Sequence, residues 1–191
     1  MRSFSSLFRG AVRWVVCPFR KKLMTLGPQI DFLEANRLFG SEQPFLDVLA
    51  DGSQEELRLV LTGSRCGAVG EKGSFEPEEP NGALRHILAS ARPVVADEGL
   101  RCEIVFEQYI LYQVRCESFA DGDPKEVSQG RWLLICEEST LLSHLGDYTL
   151  AQRLADGAYF PGEWKHYEII TQRHIIDVVA TGEPRIRWWK G

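Results

Sequence analysis

No C-x-x-C pair occurs in the chain, and its five cysteines, Cys17, Cys66, Cys102, Cys116 and Cys136, form an odd set. That spacing excludes a zinc ribbon and argues against a disulfide framework, so a reducing cytoplasm is the expected setting. No apolar run approaches the roughly 20 residues of a membrane-spanning helix, which sets aside an integral helical membrane protein. The four histidines, His86, His144, His166 and His174, contain no H-x-x-x-H, so no two-histidine helical metal site is encoded. Neither a metal nor a cofactor is expected. Ser64, Ser118 and Ser139 lack a G-x-S-x-G setting and Cys66 has no histidine near it in sequence, so no nucleophile stands out. The glycines of TGSRCGAVGEKGSFEP imitate a phosphate loop, but Gly73 separates Lys72 from Ser74 and EPEEP adds negative charge.

What is present fits one globular domain with a terminal appendage. Of the 191 residues 44% are apolar, enough for a sizeable core, and 26% are charged, which excludes a low-complexity chain. Charge is unevenly placed. Residues 1–23 hold six of the 22 Lys and Arg and none of the 27 acids, so a formal net charge of −5 conceals a body carrying −11 over residues 24–191. A body this acidic repels phosphates and argues against nucleic-acid binding; it suits a basic protein partner. Within residues 1–23, Phe4, Leu7, Phe8, Ala11, Val12, Val15, Val16 and Phe19 recur at helical spacing among arginines, predicting a basic amphipathic segment able to rest on an anionic membrane surface.

The remainder, 24–191, reads as a single α+β domain. PQIDFLEANRLFG (28–40) predicts a helix with Pro28 in its first turn and Gly40 as its stop, and PFLDVLADG a helical turn. LRLVLTG (57–63) is a strand, and ALRHILASA a short helix. From Cys102 to Ser118 apolar residues fall mainly on even positions, which predicts one long, bent or bulged strand; Cys102, Cys116 and Cys136 are expected as small core residues. DGDPKEVSQG forms a turn, RWLLICEE a strand, Ser139 caps a helix over TLLSHLG, and DYTLAQRLADG predicts another helix ending at Gly157. HYEIITQRHIIDVVA closes the domain as a C-terminal β-hairpin. The expected architecture is a mainly antiparallel sheet of about five to six strands with helices on one face.

That hairpin carries the candidate chemistry. If TQRH is its turn and Ile170 lies opposite Ile175, Glu168 faces Asp177, and like charges so placed persist only when protonated, metal-bound or relieved by a base. A general acid and base pair, with His166 beside it, is one reading. A register offset by one residue through a bulge, or neutralisation by Arg173, Arg185 or Lys165, is the other. Trp188 and Trp189 are interface anchors or core plugs, as Trp164 is.

The run W-K-H-Y-E-I-I-T-Q-R-H-I-I-D-V-V-A-T-G-E-P-R-I, preceded by IVFEQYILYQVRCESF and the STLLSHL helix, resembles small bacterial proteins of the toxin-immunity or accessory type over residues 28–186. The resemblance implies a non-enzymatic cytoplasmic module that binds and blocks a basic toxin domain, and it carries no catalytic residues across. The residues expected to meet that partner are Glu71, Glu76, Glu78 and Glu79 in one loop, Asp121, Asp123 and Glu126 in a second, and Trp188 and Trp189. The alternatives are a small hydrolase using Glu168 and Asp177, and a membrane-surface accessory protein anchored by residues 1–23.

Overall fold

The computed structural model describes residues 28–52, 56–68, 81–84 and 91–190. The basic segment 1–23, the acidic loop with Glu71, Glu76, Glu78 and Glu79, and His86 lie outside the described residues. Twelve strands are described: β1 (Gln29–Ile30), β2 (Phe45–Asp51), β3 (Leu57–Cys66), β4 (Val94–Phe106), β5 (Tyr109–Cys116), β6 (Val127–Gly130), β7 (Leu133–Glu138), β8 (Gln152–Arg153), β9 (Tyr159–Phe160), β10 (Lys165–Ile170), β11 (His174–Ala180) and β12 (Arg185–Lys190). They build two five-stranded antiparallel sheets, β1-β12-β4-β3-β2 and β5-β11-β10-β7-β6, and a small ribbon of β8 and β9. Among the described residues three α-helices are single turns, α1 (Phe32–Ala35), α2 (Thr140–Ser143) and α3 (Leu145–Tyr148), and residues 82–84 are also helical. Among the described residues no helix is long and apolar enough to cross a membrane.

The inner faces of the two sheets share one core. Leu57, Leu59 and Leu61 of β3, Cys102, Ile104 and Phe106 of β4, and Ile186 of β12 meet Leu133, Tyr167, Ile169, Ile176 and Val178 of the other sheet. Removing this apolar surface from water is the main stabilising term, and alternate residues of each strand supply it. Phe32 of α1 completes the layer, 4.9 Å from Tyr167 and 6.5 Å from Phe106 between ring centroids. α1 therefore plugs the space between the sheets, whereas α2 and α3 lie over the outer face of the second sheet, so these three do not form one layer.

Several local expectations yield to tertiary pairing. Residues 28–40 do not form one helix: Gln29 and Ile30 pair with Arg187 and Ile186, and the helical turn starts only after Asp31, whose carboxylate accepts from the Glu34 amide at 2.6 Å. PFLDVLADG is the edge strand β2, its ladder with β3 shifting between Leu46 and Val48. The long period-two run is two strands. It bends at Glu107 and Gln108 and passes from one sheet to the other, so parity was legible but sheet membership was not. VSQG is strand β6 rather than turn, and residues after Tyr148 form the β8–β9 ribbon instead of a helix. The β10–β11 hairpin forms, yet it is not the end of the chain, because β12 crosses to the first sheet. Cys102 and Cys136 are buried as expected, but Cys116, on the edge strand β5, is exposed.

The β6–β7 connection is held by one amide side chain. Asn36 Oδ1 accepts from the backbone N–H groups of Arg131, Trp132 and Leu133, and its Nδ2 donates to the Leu133 carbonyl at 2.7 Å. Gly130 enters this turn at φ +123°, where a side chain would collide with the Leu133 carbonyl oxygen. These contacts fix β7, and with it the edge of the site on the outer face.

Candidate functional site

Register places the site. Across the second sheet Gln113, Asp177, Glu168 and Leu134 lie opposite one another on successive strands, and Leu111, Val179, His166 and Cys136 form the neighbouring row. Directly opposed residues share a face, and alternation puts Tyr167, Ile169, Ile176 and Val178 in the core on the other side. Polar residues on this outer face would normally meet water. Here α2, α3 and the 123–126 loop form a roof, and His166, Glu168 and Asp177 are 3%, 6% and 1% exposed.

The roof is itself held by caps. Ser139 Oγ accepts from the Leu142 amide at 3.1 Å as the N-cap of α2. Asp123 accepts from the Thr140 amide at 2.5 Å and the Thr140 hydroxyl at 2.7 Å. Those bonds, with one from the Lys125 amide, hold the Asp123 carboxyl below its ordinary range.

Asp177 is the hub. Its Oδ2 accepts from Gln113 Nε2 at 2.9 Å and Arg115 Nε at 2.9 Å, and its Oδ1 from Arg115 Nη2 at 3.1 Å. His166 Nε2 lies 3.1 Å from Oδ1 and His166 Nδ1 lies 3.0 Å from Ser139 Oγ. Asp177 only accepts, so the hydrogen-bond network assigns the imidazole proton to Nε2 and leaves Nδ1 to accept from the Ser139 hydroxyl. This line of Ser139, His166 and Asp177 reverses the hydrolytic triad, in which Nε2 faces the serine. Ser139 is also buried and committed to its cap, so it is not a built nucleophile.

Glu168 faces Asp177 directly, as the hairpin register required. The base that relieves the pair is Arg115 of β5, whose Nη2 donates to Glu168 Oε2 at 2.7 Å. The cations considered from sequence sit elsewhere: Arg185 pairs with Glu107, Lys165 with Glu183, and Arg173 lies in the turn between β10 and β11. One guanidinium cannot fully offset two buried acids. Burial pushes Asp177 up, but hydrogen bonds from His166, Arg115 and Gln113, with the Arg115 charge, outweigh it and hold the carboxyl well below its ordinary range. Glu168 carries the imbalance. Its own burial, then the charge and shared hydrogen bond of Asp177, then Glu126, push its carboxyl up to about 7 against the pull of Arg115. Burial lowers the Arg115 guanidinium while Asp177 and Glu168 raise it, and the net shift is upward.

His166, Glu168 and Asp177 each offer a ligand atom, all within 4.8 Å of one another, a spacing a divalent ion can bridge. The cation already seated there is the Arg115 guanidinium, and Asp177 accepts four hydrogen bonds, so the cluster is saturated on that side. Above it opens a cavity of about 390 Å³, within the roughly 300–1,000 Å³ of small-ligand sites. Asp123, Glu126, Thr140, His144 and Tyr148 form its walls and mouth.

The residues expected to meet a partner are divided by the fold. Asp123 and Glu126 line the cavity and Asp121 is exposed beside them, whereas Trp188 and Trp189 lie half-buried on β12 of the other sheet. Trp164 stacks edge-on against Tyr159, 4.6 Å between centroids, beneath the ribbon. His144 is exposed and paired with Asp147 at 2.9 Å, and His174 stands at the start of β11 opposite Cys116. Arg115 and Gln113 escaped the sequence reading, and Ser139 was read as a helix cap and not as a partner of His166, because they lie 62, 64 and 27 residues from their partners in the cluster. A buried Asp in a central strand demands donors from its neighbours, which was the available signal. Searches of family models, curated proteins and solved structures find no match.

Proposed function

We propose that this protein is a cytoplasmic partner-binding module of the toxin-immunity or accessory type, and that the roofed cavity on the outer face of β5, β11, β10 and β7 receives a basic segment of its partner. The observation that carries this reading is the makeup of the cavity lining: Asp123, Glu126 and Glu168 belong to it, and Arg115 is its only Lys or Arg among the described residues. Apolar side chains stand open along the same segments. Phe119 is 90% exposed two residues before Asp121, and Tyr148 and Leu150 are 78% and 82% exposed on and just after α3. Large exposed apolar groups among acids suit a protein interface, with charge steering the encounter and aromatics anchoring it. The exposed free thiols of Cys66 and Cys116 suit a reducing compartment.

Affinity capture from the native cell, with the full chain and with a Glu126→Gln/Tyr148→Ala variant, tests it. A basic protein retained by the first and lost from the second is the expected result. Equal retention by both, or capture of acidic proteins only, sinks the reading.

A second reading, general acid and base catalysis, is favoured by Glu168, a buried carboxyl held near neutrality at the floor of an open cavity. Its test is a bell-shaped or sigmoidal pH–rate profile lost in Glu168→Gln.

A further inference from the structure

We propose that the free edge of β5, over residues 112–116, pairs antiparallel with the same edge of a second copy of this chain, joining two copies of the second sheet into one. The two five-stranded sheets end in β1 and β2, and in β5 and β6. β1 is two residues long; β2 is broken by the register shift between Leu46 and Val48 and carries Asp47 and Asp51; β6 is four residues long, shifted between Val127 and Ser128, and ends at Gly130. Shortness, bulges and charge are what keep sheet edges from pairing. β5 has eight residues, YILYQVRC, without Lys, Pro or Gly, and its ladder with β11 is regular over residues 111–116. Its one charge, Arg115, is drawn to Asp177 and Glu168 and leaves the edge unguarded.

One hydrogen bond fixes which backbone groups face outward. The Glu117 amide donates to the Arg173 carbonyl at 3.0 Å, one step beyond the Cys116–His174 pair. Antiparallel ladders alternate, so the N–H and C=O groups of Leu111, Gln113 and Arg115 turn to β11. Those of Tyr112, Val114 and Cys116 turn away from it, where no described strand pairs with them. The side chains leave the way open: Val114 is 43% exposed, and Gln113 and Cys116 are exposed. Such a row of donors and acceptors fits another extended strand.

Charge chooses the occupant. A strand from a basic partner would bring Lys or Arg against Arg115, and like charges directly opposed destabilise a ladder. In a second copy centred on Val114, that residue meets its equivalent, Tyr112 meets Cys116, and Arg115 meets the neutral Gln113. Centring on Arg115 sets that residue against itself. Centring on Gln113 needs Ile110, which is packed against the cluster of Leu145, Ala151 and Val179. The Val114 register therefore satisfies both charge and access, and each of its facing pairs exchanges two hydrogen bonds. Its two-fold axis stands perpendicular to the sheet, so both cavities open on the same side, with Gln113 and Arg115 of each cavity lining beside the axis. The pairing is independent of what the cavity receives.

The experiment is sedimentation velocity of the full chain under reducing conditions, from about 1 to 500 μM, with amide hydrogen exchange read at both ends of that range. A monomer–dimer equilibrium is expected. The Tyr112, Val114 and Cys116 amides should exchange roughly tenfold more slowly at the high concentration, while the Leu111, Gln113 and Arg115 amides are protected at both. Val114→Pro removes an outward N–H and leaves the bonds to β11 in place, so it should fold and stay monomeric. Val114→Lys, at a half-exposed position, sets like charges on the axis with the same expected result. Circular dichroism and thermal melting verify the fold of each variant. Val127→Lys on the β6 edge, at a residue 50% exposed, should leave the dimer unchanged. A monomer throughout the range overturns the proposal. So does a dimer that persists in either folded Val114 variant, is lost in Val127→Lys, or protects β2 or β6 amides in place of those three.

Discussion

Glu168 lies directly opposite Asp177 across the β10–β11 ladder, and Arg115 reaches both carboxylates from the far side of Asp177, at 2.7 Å and 2.9 Å. The arrangement splits two like groups into different states. Asp177, with four donors, stays ionised, and Glu168, with one, retains its proton toward neutrality. Because both are buried, the asymmetry bears on stability as well as on binding.

Stability should pass through a maximum between about pH 4 and 5. Asp177, held below its ordinary 3.8, contributes stability that is present above that value and lost as pH falls. Glu168, raised from 4.5 to about 7, acts oppositely: the folded state binds the extra proton, so stability declines as pH rises between those values and is level above them. The decline amounts to roughly 3 kcal/mol at most. Urea unfolding from pH 3 to 9 measures it, and Glu168→Gln should flatten the limb between pH 4.5 and 7 while leaving the acid limb intact.

Arg115→Met should destabilise the fold by about 2–3 kcal/mol, less than for a fully buried pair because the guanidinium is partly exposed. Two facing acids then lack their counter-charge. Arg115→Lys should recover little, since a point charge cannot donate to both carboxylates through a planar fork. Adding Asp177→Asn to Arg115→Met should restore part of the loss, read as a non-additive double-mutant cycle in urea.

Ser139→Ala removes the cap of α2 and the hydroxyl donor to His166 together, for a loss of about 1–2 kcal/mol in thermal or urea unfolding. Because Ser139 is a cap rather than a nucleophile, the same variant should still retain the partner captured by the full chain. Loss of binding with unchanged stability would contradict the role assigned here.

Asn36→Ala should cost about 2–3 kcal/mol, since three backbone N–H groups of the β6–β7 turn lose their acceptor at once. Hydrogen exchange should show faster exchange of the Arg131, Trp132 and Leu133 amides. If those rates match the unsubstituted protein, the bracing role is wrong.

The sequence by itself determined the local and periodic features. Alternation in β10 and β11 and a four-residue turn made the Glu168–Asp177 register legible, because side chains repeat every two residues and a hairpin turn couples the strands over short separation. The Ser139 cap was legible for the same local reason. Only the tertiary structure decided which sheet each strand joins, that Gln29 and Ile30 pair with β12 rather than continue a helix, and that Arg115 lies beside Asp177. Those outcomes rest on contacts between residues dozens of positions apart. There, burial of a shared core overrides helix propensity, and a buried charge selects its partner by position in space.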